Sequence, residues 1–351
     1  MRQKYYKLLN PCVSLIGLTL IAMLSACSKH KAANPLTEPV ENQQAQASAL
    51  PHQKLTAQTA QVDKPSMSLI QAKAGFATQL IPQSVEKIPL EKAPEKIFLT
   101  TSYPTSLGRM AAYLTPDPKD GKKHPAIIWI TGGDNNSISD VWSVARRDND
   151  QTASAYRQAG IIMMFPSQRG GNDNPGQKEG FLGEVDDILA AADYLAKQPY
   201  IDPKRIYLGG HSTGGTLALL VAESSPRFRG VFAFGAIDMV ANYGSSSGFL
   251  PFDVSNQREV VLRSPIFWLS SMQSPTWVME GTEHGNLDAL QAMQKVSTNP
   301  LVHFVPVQKT DHFGILAPAN TLIAQKILQD SAGTTNKSSI SLSSDELNRL
   351  F

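Results

Sequence analysis

A serine set between paired glycines is the first feature of this sequence that could do chemistry. The stretch LGGHSTGGTLALL, residues 208–220, reads G-x-S-x-G at Gly210, Ser212 and Gly214. That spacing suits a strand-to-helix turn so tight that only glycine fits on either side of the serine, and the strain projects the hydroxyl outward as a nucleophile. No lysine follows the glycines, so the stretch is not a phosphate cradle. A serine hydroxyl is a weak nucleophile without a base. The chain has seven histidines. His30 and His52 lie in a polar amino-terminal stretch, His124 precedes a strand run and His303 falls inside one. His211 adjoins the serine, but on such a turn its ring points away from the hydroxyl. Of His284 and His312, the second lies in KTDHFGILAP, after the last strand run and before the last helical one. In the chain order serine, acid, histidine, the base belongs there.

The carboxylate that orients the base should follow the penultimate strand. The segment MEGTEHGNLDALQAM offers Glu280, Glu283 and Asp288. Glu280 falls in the strand run, and Asp288 opens or joins the next helix. Glu283 stands two residues past Gly281, in the loop proper, and is the favoured acid. Asp238, after the run VFAFGAI, is the second choice and Asp288 the third. An oxyanion hole needs backbone N–H groups aimed at developing negative charge. Thr213, next after the serine, supplies one, and Gly133 in TGGDNN supplies another.

The elements needed to position these groups alternate along the chain. Near-continuous apolar runs at 126–132, 161–167, 205–210, 231–237, 276–282 and 302–307 suit strands covered on both faces. Helical patterns occupy 141–158, 181–197, 214–223, 287–296 and 318–328. This alternation predicts an α/β fold, a doubly wound and mostly parallel sheet, with ligands bound beyond the carboxyl ends of its strands.

The ends of the chain read differently. Lys4 and Lys7 precede an apolar run, Val13–Leu24, that closes on Leu24-Ser25-Ala26-Cys27. The run is too short and wrongly flanked for a spanning helix, and it reads as a secretory signal, residues 1–26. Its last four residues resemble a bacterial lipobox, which implies lipid attached to the Cys27 thiol and a membrane anchor. Ser28 after the cysteine implies an outer-membrane lipoprotein. Residues 27–94, rich in Ala, Gln, Pro, Lys and Thr, read as a flexible tether. A catalytic domain is expected over 95–330 and a polar tail, with one short helix, over 331–351. Both cysteines, Cys12 and Cys27, lie at the amino terminus, so the domain carries no disulfide. The net charge is +2 with no basic cluster beyond the signal, which gives no reason to expect a nucleic-acid partner. No ligand cluster with zinc spacing occurs, and no metal or cofactor is expected.

From about Ile97 to Leu328 the chain resembles the catalytic domain of the prolyl oligopeptidase group and related esterases of the α/β-hydrolase superfamily. PSQRGG is similar to that group's arginine-glycine turn. GEVDDILAAADYLAKQPYIDPKRIYLGGHSTGGTLAL resembles the helix, Asp-Pro turn, strand and nucleophile turn that follow. RSPIFWLSSMQSPTWVMEGT and DHFGI look like its later strand and histidine loop. The resemblance implies a serine hydrolase with Ser212 and His312 carried over directly. Two positions depart from the pattern. His284 stands where the group usually places its Asp, and Thr131-Gly132-Gly133 replaces the usual His-Gly-Gly. The chain leaves no room for the large propeller of true oligopeptidases, so an open site for small esters is expected. The expected function is a carboxylesterase, with a short-peptide exopeptidase as the alternative. A non-catalytic envelope binding protein that retains the fold is the remaining one.

Overall fold

The computed structural model describes residues 67–83, 87–134, 136–244, 249–330 and 338–351. Cys27, the lipobox and most of the expected tether lie outside the described residues. In chain order the elements are α1 (Leu69–Lys73), β1 (Leu99–Thr105), β2 (Gly108–Leu114), β3 (His124–Ile130), α2 (Ala155–Gln158), β4 (Ile162–Pro166) and α3 (Glu184–Ala196). There follow β5 (Ile201–His211), α4 (Thr213–Ser224), β6 (Val231–Phe234), α5 (Gln257–Val261), β7 (Thr276–Gly281), α6 (Leu287–Val296), β8 (Val302–Val307), α7 (Leu316–Gln329) and α8 (Ser344–Asn348). All eight strands form one sheet in the order β1-β2-β4-β3-β5-β6-β7-β8. The pairings β1–β2 and β2–β4 are antiparallel, and the six strands from β4 to β8 run parallel. This is the mostly parallel α/β architecture expected from the sequence.

Burial along β3 shows how the sequence builds the two layers. Ile128 and Ile130 face a cluster that includes residues of α3 and α4, among them Ile188, Leu217 and Leu220. Ile127 and Trp129 face the opposite cluster, with Tyr156 of α2 and Ile323 of α7. Successive strand residues point to opposite faces, so a strand covered on both must be apolar throughout. The strands β3, β4, β6 and β7 are almost wholly buried, as is the second half of β5.

Four parts differ from the sequence expectation. The hairpin β1–β2 was not expected: its edge strand β1 is polar and half-exposed and lacks the apolar run that marks the inner strands, while β2 buries Met110, Ala112, Tyr113 and Leu114. The helix expected over 141–158 is reduced to a short 3-10 turn and the four-residue α2. The packed chain also begins before the expected domain start. Leu69 is fully buried, Arg258 donates to the Ala72 carbonyl at 2.8 Å, and Thr78 donates to the Glu259 carboxylate at 3.0 Å. Composition read this segment as tether because it has few aromatics and no sustained period, yet Leu69, Ala72 and Phe76 pack against the core. The carboxyl-terminal tail is also docked in part. Asp330, fully buried, binds Arg229 at 2.7 Å and accepts from Ser339, and Leu347 of α8 is fully buried.

Candidate active site

Ser212 is the single residue between the end of β5 and the first turn of α4. Its φ is 55° and its ψ is −117°, a conformation costly for a residue with a side chain. The backbone holds it there. Ser212 N–H donates to the Phe234 carbonyl at 2.8 Å, and Ser212 C=O accepts from Thr216 N–H at 2.9 Å. The glycines at 210 and 214 are required by space: a Cβ on Gly210 would collide with the Gly214 carbonyl, and one on Gly214 with the Ile130 carbonyl. The strand and helix therefore approach closely enough to force the turn, and Ser212 stays partly exposed beside the buried His211.

His312 lies between β8 and α7 and is 5 % exposed. Gly235, directly after β6 with φ +61°, leaves the space its imidazole fills; a Cβ there would stand 2.6 Å from Nδ1. Ser212 hydrogen-bonds the carbonyl of the residue before that glycine, so the serine turn and the imidazole meet at the end of β6. The carboxylate that meets His312 is Glu280, not Glu283. Glu280 Oε2 lies 2.9 Å from His312 Nδ1, with both side chains almost wholly buried. The carboxylate is fixed by two further donors, Gly281 N–H to Oε1 at 2.8 Å and Asn286 N–H to Oε2 at 2.9 Å.

Glu280 was passed over in the sequence because it belongs to a strand run. It does belong to β7, but it is the next-to-last residue of the strand, at the carboxyl end, where open α/β sheets bind their ligands. That position is the signal that could have found it. Glu283 is exposed, and its N–H donates to the Thr310 carbonyl at 2.9 Å, which sets it beyond the imidazole. Asp238 accepts from Asn242 Nδ2 at 2.8 Å, and Asp288 is exposed in the first turn of α6. His284, at the position where the resembling group carries Asp, is an exposed turn residue with φ +64°.

His211 has a place that the sequence did not suggest. It is fully buried, and its ring centroid lies 4.4 Å from that of His312. Its Nε2 lies 2.9 Å from the His312 carbonyl oxygen, which can only accept, so Nε2 carries the proton. Nδ1 then accepts from Gln151 Nε2 at 2.8 Å. Burial, chiefly, and the neighbouring His312 push the His211 pKa well down, so the ring is neutral.

On the other side of Ser212, the Thr213 hydroxyl donates to the Gly133 carbonyl at 2.8 Å, tying the loop after β3 to the start of α4. The first N–H groups of a helix have no intrahelical acceptor and face outward there. Gly133, at φ +127°, and Thr213 both line a cleft of about 340 Å³, counting its open mouth. The arginine-glycine turn is held beneath this region: Arg169 binds the fully buried Asp187 at 2.9 Å and pairs with Glu179. Among the described residues, no group of three or more His, Cys, Asp or Glu is placed to hold a metal ion.

The fold and this constellation define an α/β-hydrolase with the site layout of a serine hydrolase. Residues 148–302 match the prolyl oligopeptidase family, a span that contains Ser212 and Glu280. Dipeptidyl-peptidase 5 of Porphyromonas gingivalis is 27% identical over 256 residues, covering 66% of this chain and 36% of that protein. The prolyl endopeptidase of Elizabethkingia meningoseptica is 29% identical over 163 residues, 43% of this chain and 22% of that one. The chain thus spans only about a third or less of these relatives' length. In fold it is similar to a hyperthermophilic esterase from Pyrobaculum calidifontis, with a TM-score of 0.51 and 17% identity over 66% of this chain and 83% of that one.

Proposed function

We propose that this chain is a serine acyl hydrolase, acting as a carboxylesterase on small esters. The observation that carries the reading is the buried Glu280–His312 pair beside the strained Ser212. His312 Nδ1–H donates to Glu280, which leaves Nε2 free to take the Ser212 proton. The serine oxygen bonds to the acyl carbon, and the N–H groups of Gly133 and Thr213 hold the negative charge that builds on the carbonyl oxygen. The carbon–alkoxy bond then breaks, and His312 returns the proton to the departing alcohol. Water loses a proton to His312, attacks the acyl-serine, and frees the acid and the serine. Labelling with a fluorophosphonate followed by peptide mapping tests this. The label is expected on Ser212 and lost in Ser212→Ala; labelling elsewhere, or wild-type ester turnover in that variant, overturns it.

The peptidase names of both curated relatives favour a second reading, in which the departing group is the amine of a short peptide. Turnover of p-nitrophenyl butyrate against dipeptide p-nitroanilides separates the two. The lipobox-like Leu24-Ser25-Ala26-Cys27 supports a lipid anchor on Cys27 and an outer-membrane location. Cys27→Ser is expected to abolish palmitate incorporation in cells; an unmodified wild-type Cys27 by mass spectrometry overturns it.

A further inference from the structure

The cleft beside Ser212 contains a buried polar group that the proposed chemistry does not use. Its walls are Gly133 and Thr213 together with Phe181 and Phe249, and its polar lining includes Glu184 and Lys178. Glu184 is 2 % exposed. Its Oε1 accepts from Asn136 Nδ2 at 3.0 Å and from Glu179 N–H at 2.7 Å, whereas its Oε2 has no partner among the described residues. A buried polar atom left unpaired is costly, and at a ligand cleft the missing partner is supplied by the ligand.

Arg169 is committed to Asp187 and Glu179, and burial is the largest influence on Glu184, pushing its pKa up. Oε1 already accepts two N–H bonds, so Oε2 is the oxygen left to bond a ligand. Charges of both signs line the cleft, which favours an uncharged ligand. Lys178 Nζ, held by the carbonyls of Asp134 and Phe249 and lying 3.9 Å from the Phe249 ring centroid, opposes an ammonium. Its pKa is pushed down to about 8 by burial, so it stays cationic at neutral pH. The exposed Asp134 carboxylate, which also lines the cleft, opposes an anion.

We propose that this cleft is the acyl-side-chain subsite, and that Glu184 Oε2 selects an uncharged side chain ending in a carboxamide, of the glutamine kind. The inference rests on the serine-hydrolase reading given above. Phe181 and Phe249 flank the methylenes of such a side chain, and its carboxamide bonds Oε2.

The test compares p-nitrophenyl esters of N-acetylated glutamine, norleucine, glutamate and lysine. In the wild-type protein kcat/KM for the glutamine ester is expected to exceed that for norleucine at least about tenfold, with both charged esters below it. Glu184→Met is expected to bring the glutamine-to-norleucine ratio to about one. Glu184→Gln retains an acceptor toward Asn136 and Glu179 and places an amide N–H at the Oε2 position, from which the substrate's amide oxygen can accept, so it is expected to keep the preference. If Glu184→Met fails to fold, the Glu184→Gln ratio alone decides. Loss of the preference in Glu184→Gln, a lysine ester as the best substrate, or equal ratios in all three proteins overturns the proposal. Those results in a protein that a fluorophosphonate still labels at Ser212 leave the hydrolase reading standing; absence of labelling overturns that reading instead.

Discussion

His211 Nε2 donates to the backbone carbonyl of His312 across 2.9 Å, and the two rings lie 4.4 Å apart. The residue before Ser212 thereby holds the loop that carries His312, while Gln151 fixes which nitrogen of His211 carries the proton.

A contact of this kind sets geometry, and displacement of a reacting group by about 1 Å costs roughly 10²-fold in rate. His211→Phe is therefore expected to lower kcat for p-nitrophenyl butyrate by about that factor. KM should change little, because no substrate contact is removed. Gln151→Met, which keeps His211 in place but removes its tautomer-fixing donor, should give a smaller loss in kcat. A change confined to KM or to thermal stability in both variants would show that His211 only fills space.

Glu280→Gln should cripple turnover. Removing the charge from the orienting acid of a serine protease triad costs about 10⁴-fold in kcat, through the wrong tautomer and an unsupported imidazolium. A loss of roughly 10³–10⁴-fold is expected here, with Glu283→Gln and Asp288→Asn close to wild type. Steady-state kinetics on the three proteins decide between them, and a crippled Glu283→Gln would refute the assignment.

Glu223, on α4, is 2 % exposed, and neither carboxylate oxygen has a partner among the described residues. Burial pushes its pKa well above the ordinary 4.5. The folded state then holds a proton that the unfolded state has released, so stability falls as the pH rises above about 4.5. Glu223→Met should stabilise the protein at pH 7 by about 1–3 kcal/mol, the cost of burying an unpaired polar group. Its advantage in melting temperature should shrink as the pH is lowered toward 4.5, where the wild-type group no longer has to gain a proton on folding. An advantage independent of pH would mean that the variant acts through packing.

The segment before β1 should be needed for stability. Leu69 is fully buried and Thr78 binds Glu259, which itself pairs with the fully buried Arg263. Truncation to Lys96 removes the Thr78 hydroxyl from both partners and uncovers the Leu69 site. A chain beginning at Lys96 is expected to lose at least about 2 kcal/mol against one beginning at Met67, read from urea unfolding. Equal midpoints would show that the segment adds no net stability.

The inner strands and the serine turn were legible because each is dictated by a local rule. Continuous apolar runs such as AIIWI require two covered faces, and Gly210 and Gly214 are the only residues that fit their places. His312 could be found by chain order. The acid could not be fixed in the same way, because a single sequence does not show where a strand ends relative to its neighbours. Glu280 looked like an internal strand residue, but the pairing of β7 with β6 ends one residue earlier, at Phe234 with Met279, which sets Glu280 at the carboxyl end of the sheet. The hairpin β1–β2 was hidden for a related reason, since its edge strand need not be apolar. Gln151 and His211 gave no sequence signal, because their relationship depends on a loop 60 residues away from the serine turn.

A strand-borne acid changes how chains of this kind should be sorted. Any inspection of the loop position alone would find His284, note the missing Asp, and file the chain with degenerate, inactive copies. With the acid moved back onto β7, the stretch from Thr282 to Gly285 carries no side chain that His312 depends on. It can drift, lengthen or acquire a new binding role while the charge behind the base stays where the sheet holds it.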